Sequence, residues 1–107
     1  MVSQSVSSHT TFFTNIAPTT TTGDLSLAGS YDGVIAVDAW ESIVHINLPP
    51  SDGNTAYYIK KIDGSANEVK VCAFNATIEG MPTRSLASQS HWMRIISHTS
   101  GSWLYFA

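Results

Sequence analysis

Three features of this 107-residue chain predict an all-β fold: short apolar runs of strand length, turn chemistry between them at regular intervals, and no stretch that holds a 3.6-residue apolar period through the three turns a helix would need. The expected architecture is a small antiparallel β-sandwich or barrel of short strands over residues 24–107, preceded by an extended N-terminal arm at residues 1–23. A domain of this length buries roughly two-thirds of the surface its unfolded chain exposes, so a core can form without cross-links.

The arm is set apart by composition. Ser3, Ser5, Ser7, Ser8, Thr10, Thr11, Thr14 and the run Thr19-Thr20-Thr21-Thr22 dominate it, and such a segment alone cannot bury enough surface to offset its ordering entropy. Phe12, Phe13 and Ile16 form its apolar island. Adjacent aromatics supply large contact area, so these three are the expected anchor on a neighbouring subunit or a larger protein. Met1-Val2-Ser3-Gln4 carries no basic n-region and no apolar h-region follows, which argues against a secretory signal. No apolar run approaches the ~20 residues that span a bilayer, so membrane insertion is not expected.

From Gly23 onward strands and turns alternate. Val34 to Val37 follows Tyr31-Asp32-Gly33, a turn signature. Ile43 to Leu48 alternates strictly, with Val44, Ile46 and Leu48 on one face, and Pro49-Pro50 ends it by removing two backbone donors. Tyr57 to Ile62, the polar link Asp63-Gly64-Ser65-Ala66-Asn67, and Val69 to Cys72 read as a hairpin. Shorter strands are expected at Ala76 to Ile78 and Thr83 to Ala87, around the turn Glu79-Gly80-Met81-Pro82. His91 to Ser97 and Ser102 to Phe106 read as a terminal hairpin through His98-Thr99-Ser100-Gly101.

Charged residues make up only 12% of the chain and the formal charge is −3, which argues against nucleic-acid binding, since that draws its affinity from clustered Lys and Arg. The one adjacent pair, Lys60-Lys61, points to opposite faces of a strand: one side chain is expected in solvent and the other ion-paired or snorkelling. Cys72 is the only cysteine, so no intrachain disulfide forms, and its flanks Val71 and Ala73 make it a small buried hydrophobe.

An ordered set of short motifs gives the chain a likeness. Leu48-Pro49 closes a strand, Ile59-Lys60-Lys61 leads into a turn at Asp63, Ala66-Asn67-Glu68-Val69 leaves it, Ile78-Glu79-Gly80 makes a second turn, and Gly101 precedes Trp103. In this order and over about residues 32–106, the chain resembles the C-terminal domains of bacteriophage tail-fibre and tail-spike proteins. Glu79 stands where that pattern has Asp. The resemblance implies a parallel homotrimer in a virion, on the tail or as a capsid decoration, held by its arm to a larger tail or capsid protein, with the host surface as a further contact. Trp92, Trp103, Tyr57, Tyr58, Tyr105 and Phe106 supply more aromatic surface than a small sandwich readily hides, which is compatible with subunit packing, and a closed ring covers strand edges.

Catalytic and metal chemistry find little support. Asp32, Asp38, Glu41, Asp63, Glu68 and Glu79 sit mostly at turns, where a carboxylate ordinarily accepts backbone N–H bonds, and no Gly-x-Ser-x-Gly elbow is present. His9, His45, His91 and His98 form no His-x-His pair, so neither a metal nor another cofactor is expected. The alternative function is a lectin-like module for bacterial surface glycans. Tyr58, Trp103 and Tyr105 would offer ring faces and Asn67 and Asn75 polar groups, the same residues being candidates for subunit contact.

Overall fold

The computed structural model describes residues 19–27, 33–51, 53, 55–99 and 101–107. In chain order their strands are β1 (Thr19–Thr21), β2 (Leu25–Ser26), β3 (Gly33–Val37), β4 (Val44–Asn47), β5 (Ala56–Lys61), β6 (Val69–Cys72), β7 (Thr77–Ile78), β8 (Thr83–Leu86), β9 (Trp92–Thr99) and β10 (Ser102–Phe106). A six-stranded sheet has the order β1-β3-β5-β9-β10-β7 and a four-stranded sheet the order β2-β4-β6-β8. The all-β expectation holds.

Pairing is mixed rather than antiparallel. The first six strands alternate between the sheets, so β1–β2, β3–β4 and β5–β6 are three successive rungs, stacked in parallel on both sides. The ladder continues through the corners: the Asp38 N–H donates to the Thr21 carbonyl and the Ile62 N–H to the Val37 carbonyl, each at 2.9 Å. Antiparallel strands end the stack, with β9 against β5 and β8 against β6.

Two sequence expectations are corrected by this topology. The segments Tyr57–Ile62 and Val69–Cys72 are not a hairpin, because β5 and β6 lie in different sheets and the link between them is a corner. An apolar alternation fixes which face of a strand is buried and says nothing about its neighbour. The terminal hairpin is present as β9–β10, turning at Gly101 with φ 81°. The arm boundary also shifts, since Thr19–Thr21 is the edge strand of the six-stranded sheet, paired with Ile35, Ala36 and Val37. Phe12, Phe13 and Ile16 lie outside the described residues.

Between the sheets, Ile35, Val37, Tyr57, Ile59, Met93, Ile95 and Trp103 face Val44, Ile46, Val69, Val71 and Leu86. Trp103 is 0% exposed and its ring centroid lies 6.4 Å from that of Tyr57. Ile78-Glu79-Gly80-Met81 is a two-residue turn: the Ile78 and Met81 backbones exchange hydrogen bonds, and Glu79 (φ 49°) and Gly80 (φ 88°) are both left-handed, as a type I′ turn requires. The Glu79 carboxylate does not cap its own turn. It reaches across to accept the Tyr105 N–H at 3.0 Å, a reach its extra methylene permits.

One polar cluster is built into this core. Lys61 is fully buried and its Nζ donates to Asp63 Oδ2 at 2.7 Å, while exposed Lys60 faces outward, so the adjacent lysines divide as the alternation predicts. Asp63 Oδ1 accepts the Ala39 N–H at 2.7 Å, and Oδ2 accepts the Ser65 N–H at 3.0 Å and the Ser65 hydroxyl. Burial pushes the Asp63 carboxyl up, but the Lys61 ammonium and these donors outweigh it and hold the group far below the usual carboxylate range. The cluster ties the β3–β4 corner to the β5–β6 corner. At the first rung, Asp24 Oδ1 accepts the His45 backbone N–H at 2.7 Å, with His45 Nδ1 3.3 Å away; that backbone bond chiefly lowers the Asp24 carboxyl. Cys72 is half-buried on the outward side of β6, with its thiol raised by burial, so it is neither a core side chain nor an activated thiol.

Candidate interaction surface

The two outer faces of the sandwich differ in chemistry. On the four-stranded sheet, the outward positions are Ser26, Asn47, Cys72 and Thr83 in one row and His45, Lys70 and Ser85 in the next. Such a face is ordinary hydrated surface. On the six-stranded sheet the outward rows are Val34, Tyr58, Arg94 and Phe106, then Thr20, Ala36, Lys60 and Trp92, then Ala56, Ile96 and Leu104, with exposed His98 beyond them on β9. Trp92 is 42% exposed and Phe106 50%. A strand such as β9 therefore has apolar residues on both sides: Met93 and Ile95 fill the core while Trp92 and Ile96 point away from it.

The outer rings are organised. Tyr58 and Trp92 have centroids 5.6 Å apart at 42°, and the Arg94 guanidinium carbon lies 5.8 Å from the Tyr58 centroid, within cation–π range. The charges on this face, Lys60 and Arg94, are both positive, and among the described residues none of its outward strand positions is Asp or Glu. This face is thus markedly more apolar than the outer face of the four-stranded sheet.

A groove of about 510 Å³ opens beside this face, between β8 and the ends of β9 and β10. Leu86 and Met93 lie at its base, and Arg84, His91, Trp92 and Tyr105 line it. Arg84 stacks over the Tyr105 ring, its guanidinium carbon 4.4 Å from the centroid, and donates through Nε to the Ile78 carbonyl and through Nη2 to the Glu79 carbonyl.

The five predicted contact residues do not share one site. Tyr58 lies on the apolar outer face and Tyr105 lines the groove. Trp103 is corrected from contact residue to core, because the inward positions of β10 are set by pairing with β9 and it falls on one of them. Asn67 is taken up by the corner, donating to the Ala39 carbonyl at 2.9 Å and the Trp40 carbonyl at 3.1 Å. Asn75 is exposed with φ 47°, a conformation Asn tolerates well, so its residue type has a backbone reason. The acids are largely committed too: Asp24, Asp38, Asp63 and Glu79 each accept a backbone N–H. Among the described residues no group of three His, Cys, Asp or Glu side chains is placed to hold a metal ion.

Sequence reading counted Trp92 among the surplus rings but missed Ile96 and Leu104 beside it, although apolar residues on both faces of one strand are a legible signal for such a surface. Comparison with family models, with curated proteins and with solved structures finds no match to this chain.

Proposed function

We propose that this chain is a non-enzymatic structural protein of a bacteriophage virion, a fibre, spike or decoration module. Copies of it pack through the outer face of the six-stranded sheet into a homotrimer. Residues 1–18, with Phe12, Phe13 and Ile16, attach it to a larger tail or capsid protein. The observation that carries the reading is the asymmetry of the two outer faces: the four-stranded sheet presents hydroxyls, amides and charge, whereas the six-stranded sheet presents Tyr58, Trp92, Ile96, Leu104 and Phe106. Leaving that area in water costs about 25 cal/mol per Å² relative to burying it, a standing drive to associate. The virion setting and the trimer rest on the resemblance of the chain's turn motifs.

Ile96→Glu tests the contact. The side chain lies outside the core, so the thermal midpoint is expected to move only a few degrees, while a buried charge at the interface weakens self-association roughly 30-fold or more. Thr83→Glu, on the polar outer face, is the control and should change neither. Sedimentation across a concentration series reads both variants, and equal masses for wild type and Ile96→Glu would contradict the assignment.

The groove favours a second reading, a saccharide-binding module, since Trp92 and Tyr105 offer rings and Arg84 and His91 polar groups within one concavity. Calorimetric titration with bacterial envelope polysaccharides should then give binding that Tyr105→Ala abolishes and Phe74→Ala, at a site away from the groove, preserves. An absence of binding to every such polysaccharide would retire it.

A further inference from the structure

The β3–β4 corner places a tryptophan in water on a rigid base. Trp40 is 64% exposed, the most exposed large apolar side chain among the described residues. Its backbone is nevertheless fixed from three sides: Asp63 Oδ1 accepts the Ala39 N–H, the Asn67 amide donates to the Ala39 and Trp40 carbonyls, and Asp38 Oδ1 accepts the Trp40 N–H at 3.0 Å. An aromatic side chain on a restrained backbone has little freedom left to lose on binding, which is the property of an interface anchor.

Charge indicates what the anchor fits. Glu41 follows it, exposed and with no hydrogen bond or ion pair among the described residues. A complementary surface is apolar and positively charged, and the outer face of the six-stranded sheet is such a surface, with Lys60 and Arg94 set among Tyr58, Trp92 and Ile96.

We propose that Trp40 of one copy docks on the outer face of the six-stranded sheet of the next copy, with Glu41 facing Lys60. The contact joins two different patches, so it can repeat head-to-tail from copy to copy, the arrangement a three-membered ring requires. Face-to-face packing of that sheet would bring Lys60 and Arg94 toward their own equivalents, a like-charge arrangement that Glu41 relieves. The inference rests on the proposal that this face is an interface between copies, and it names the occupant.

Sedimentation velocity on full-length variants tests it. Trp40→Ala should weaken association roughly 30-fold with little change in thermal midpoint, because the side chain makes few contacts within its own subunit. Lys60→Glu and Glu41→Lys should each weaken association on the order of tenfold, and the double variant Lys60→Glu/Glu41→Lys should recover it, since the pair is then restored with opposite sign. Wild-type association in Trp40→Ala and both charge variants, alongside dissociation of Ile96→Glu, overturns the proposal and leaves the assembly reading standing with another occupant. A double variant that stays dissociated overturns the Glu41–Lys60 pairing. A wild-type chain that is monomeric throughout overturns both readings.

Discussion

Asp63→Ala is expected to destabilise the fold by about 3–5 kcal/mol, because it leaves the Lys61 ammonium fully buried without its counter-charge. It also strands the Ala39 and Ser65 N–H donors, which accept no substitute when the carboxylate is gone. Against a total stability of about 5–15 kcal/mol for a small domain, this single change brings the chain close to unfolding. Lys61→Met should cost less, since the remaining carboxylate keeps those N–H bonds and a thioether fills the vacated space. Chemical denaturation of both variants at neutral pH checks the order, and a milder effect for Asp63→Ala than for Lys61→Met would contradict the view that the carboxylate and its N–H bonds hold the corner.

The same cluster makes the fold acid-sensitive in a stated direction. The Asp63 carboxyl is held well below its ordinary value of 3.8 in the folded chain, so the unfolded chain takes up the proton first. Its stabilisation is therefore complete above about pH 4 and drains away as the pH falls further. Wild type should lose denaturant resistance between pH 4 and pH 2 more steeply than Asp63→Ala, in which that group no longer titrates.

Trp103→Ala is expected to cost a further large amount, about 3–5 kcal/mol, because it removes the bulkiest fully buried side chain from between the sheets and leaves a cavity against Tyr57. Any loss of binding in that variant would report unfolding. Trp103→Phe separates volume from hydrogen bonding. The Trp103 Nε1 is buried with no hydrogen-bond partner among the described residues, so removing it breaks no bond, and the smaller ring should cost clearly less than the alanine does. Thermal unfolding monitored by circular dichroism distinguishes the two, and equal losses would mean that the indole nitrogen matters after all.

Strand positions from Gly33 onward were legible because alternation and turn residues are local properties. Val44, Ile46 and Leu48 alternate with polar residues, and all three are buried. The segment His98-Thr99-Ser100-Gly101 announced the β9–β10 hairpin for the same reason, since its left-handed turn is written in Gly101, although His98 and Thr99 belong to β9 itself. Partnership between strands was not legible at β5 and β6. Asp63 looks like any turn aspartate until its second carboxylate oxygen is seen to hold a buried lysine, at the corner where the chain crosses between sheets. The first rung was hidden for a different reason. Thr19–Thr21 carries no apolar signal, and β1 exists through backbone pairing along Ile35, Ala36 and Val37. In the candidate surface, Tyr58 could be picked out as an outward aromatic, whereas Trp103 could not be distinguished from it, because two aromatics differ in burial only once the register of their strands is fixed.

The most direct test is hydroxyl-radical footprinting of the full chain at low and high concentration, read residue by residue. Burial of the six-stranded sheet's outer face between copies predicts that Trp92 and Phe106 lose reactivity as concentration rises, while Phe74 and Met81, which are exposed and lie off that face, keep theirs. Unchanged reactivity at Trp92 and Phe106 across the full concentration range, with the chain remaining at its monomer mass of 11.5 kDa, would contradict it.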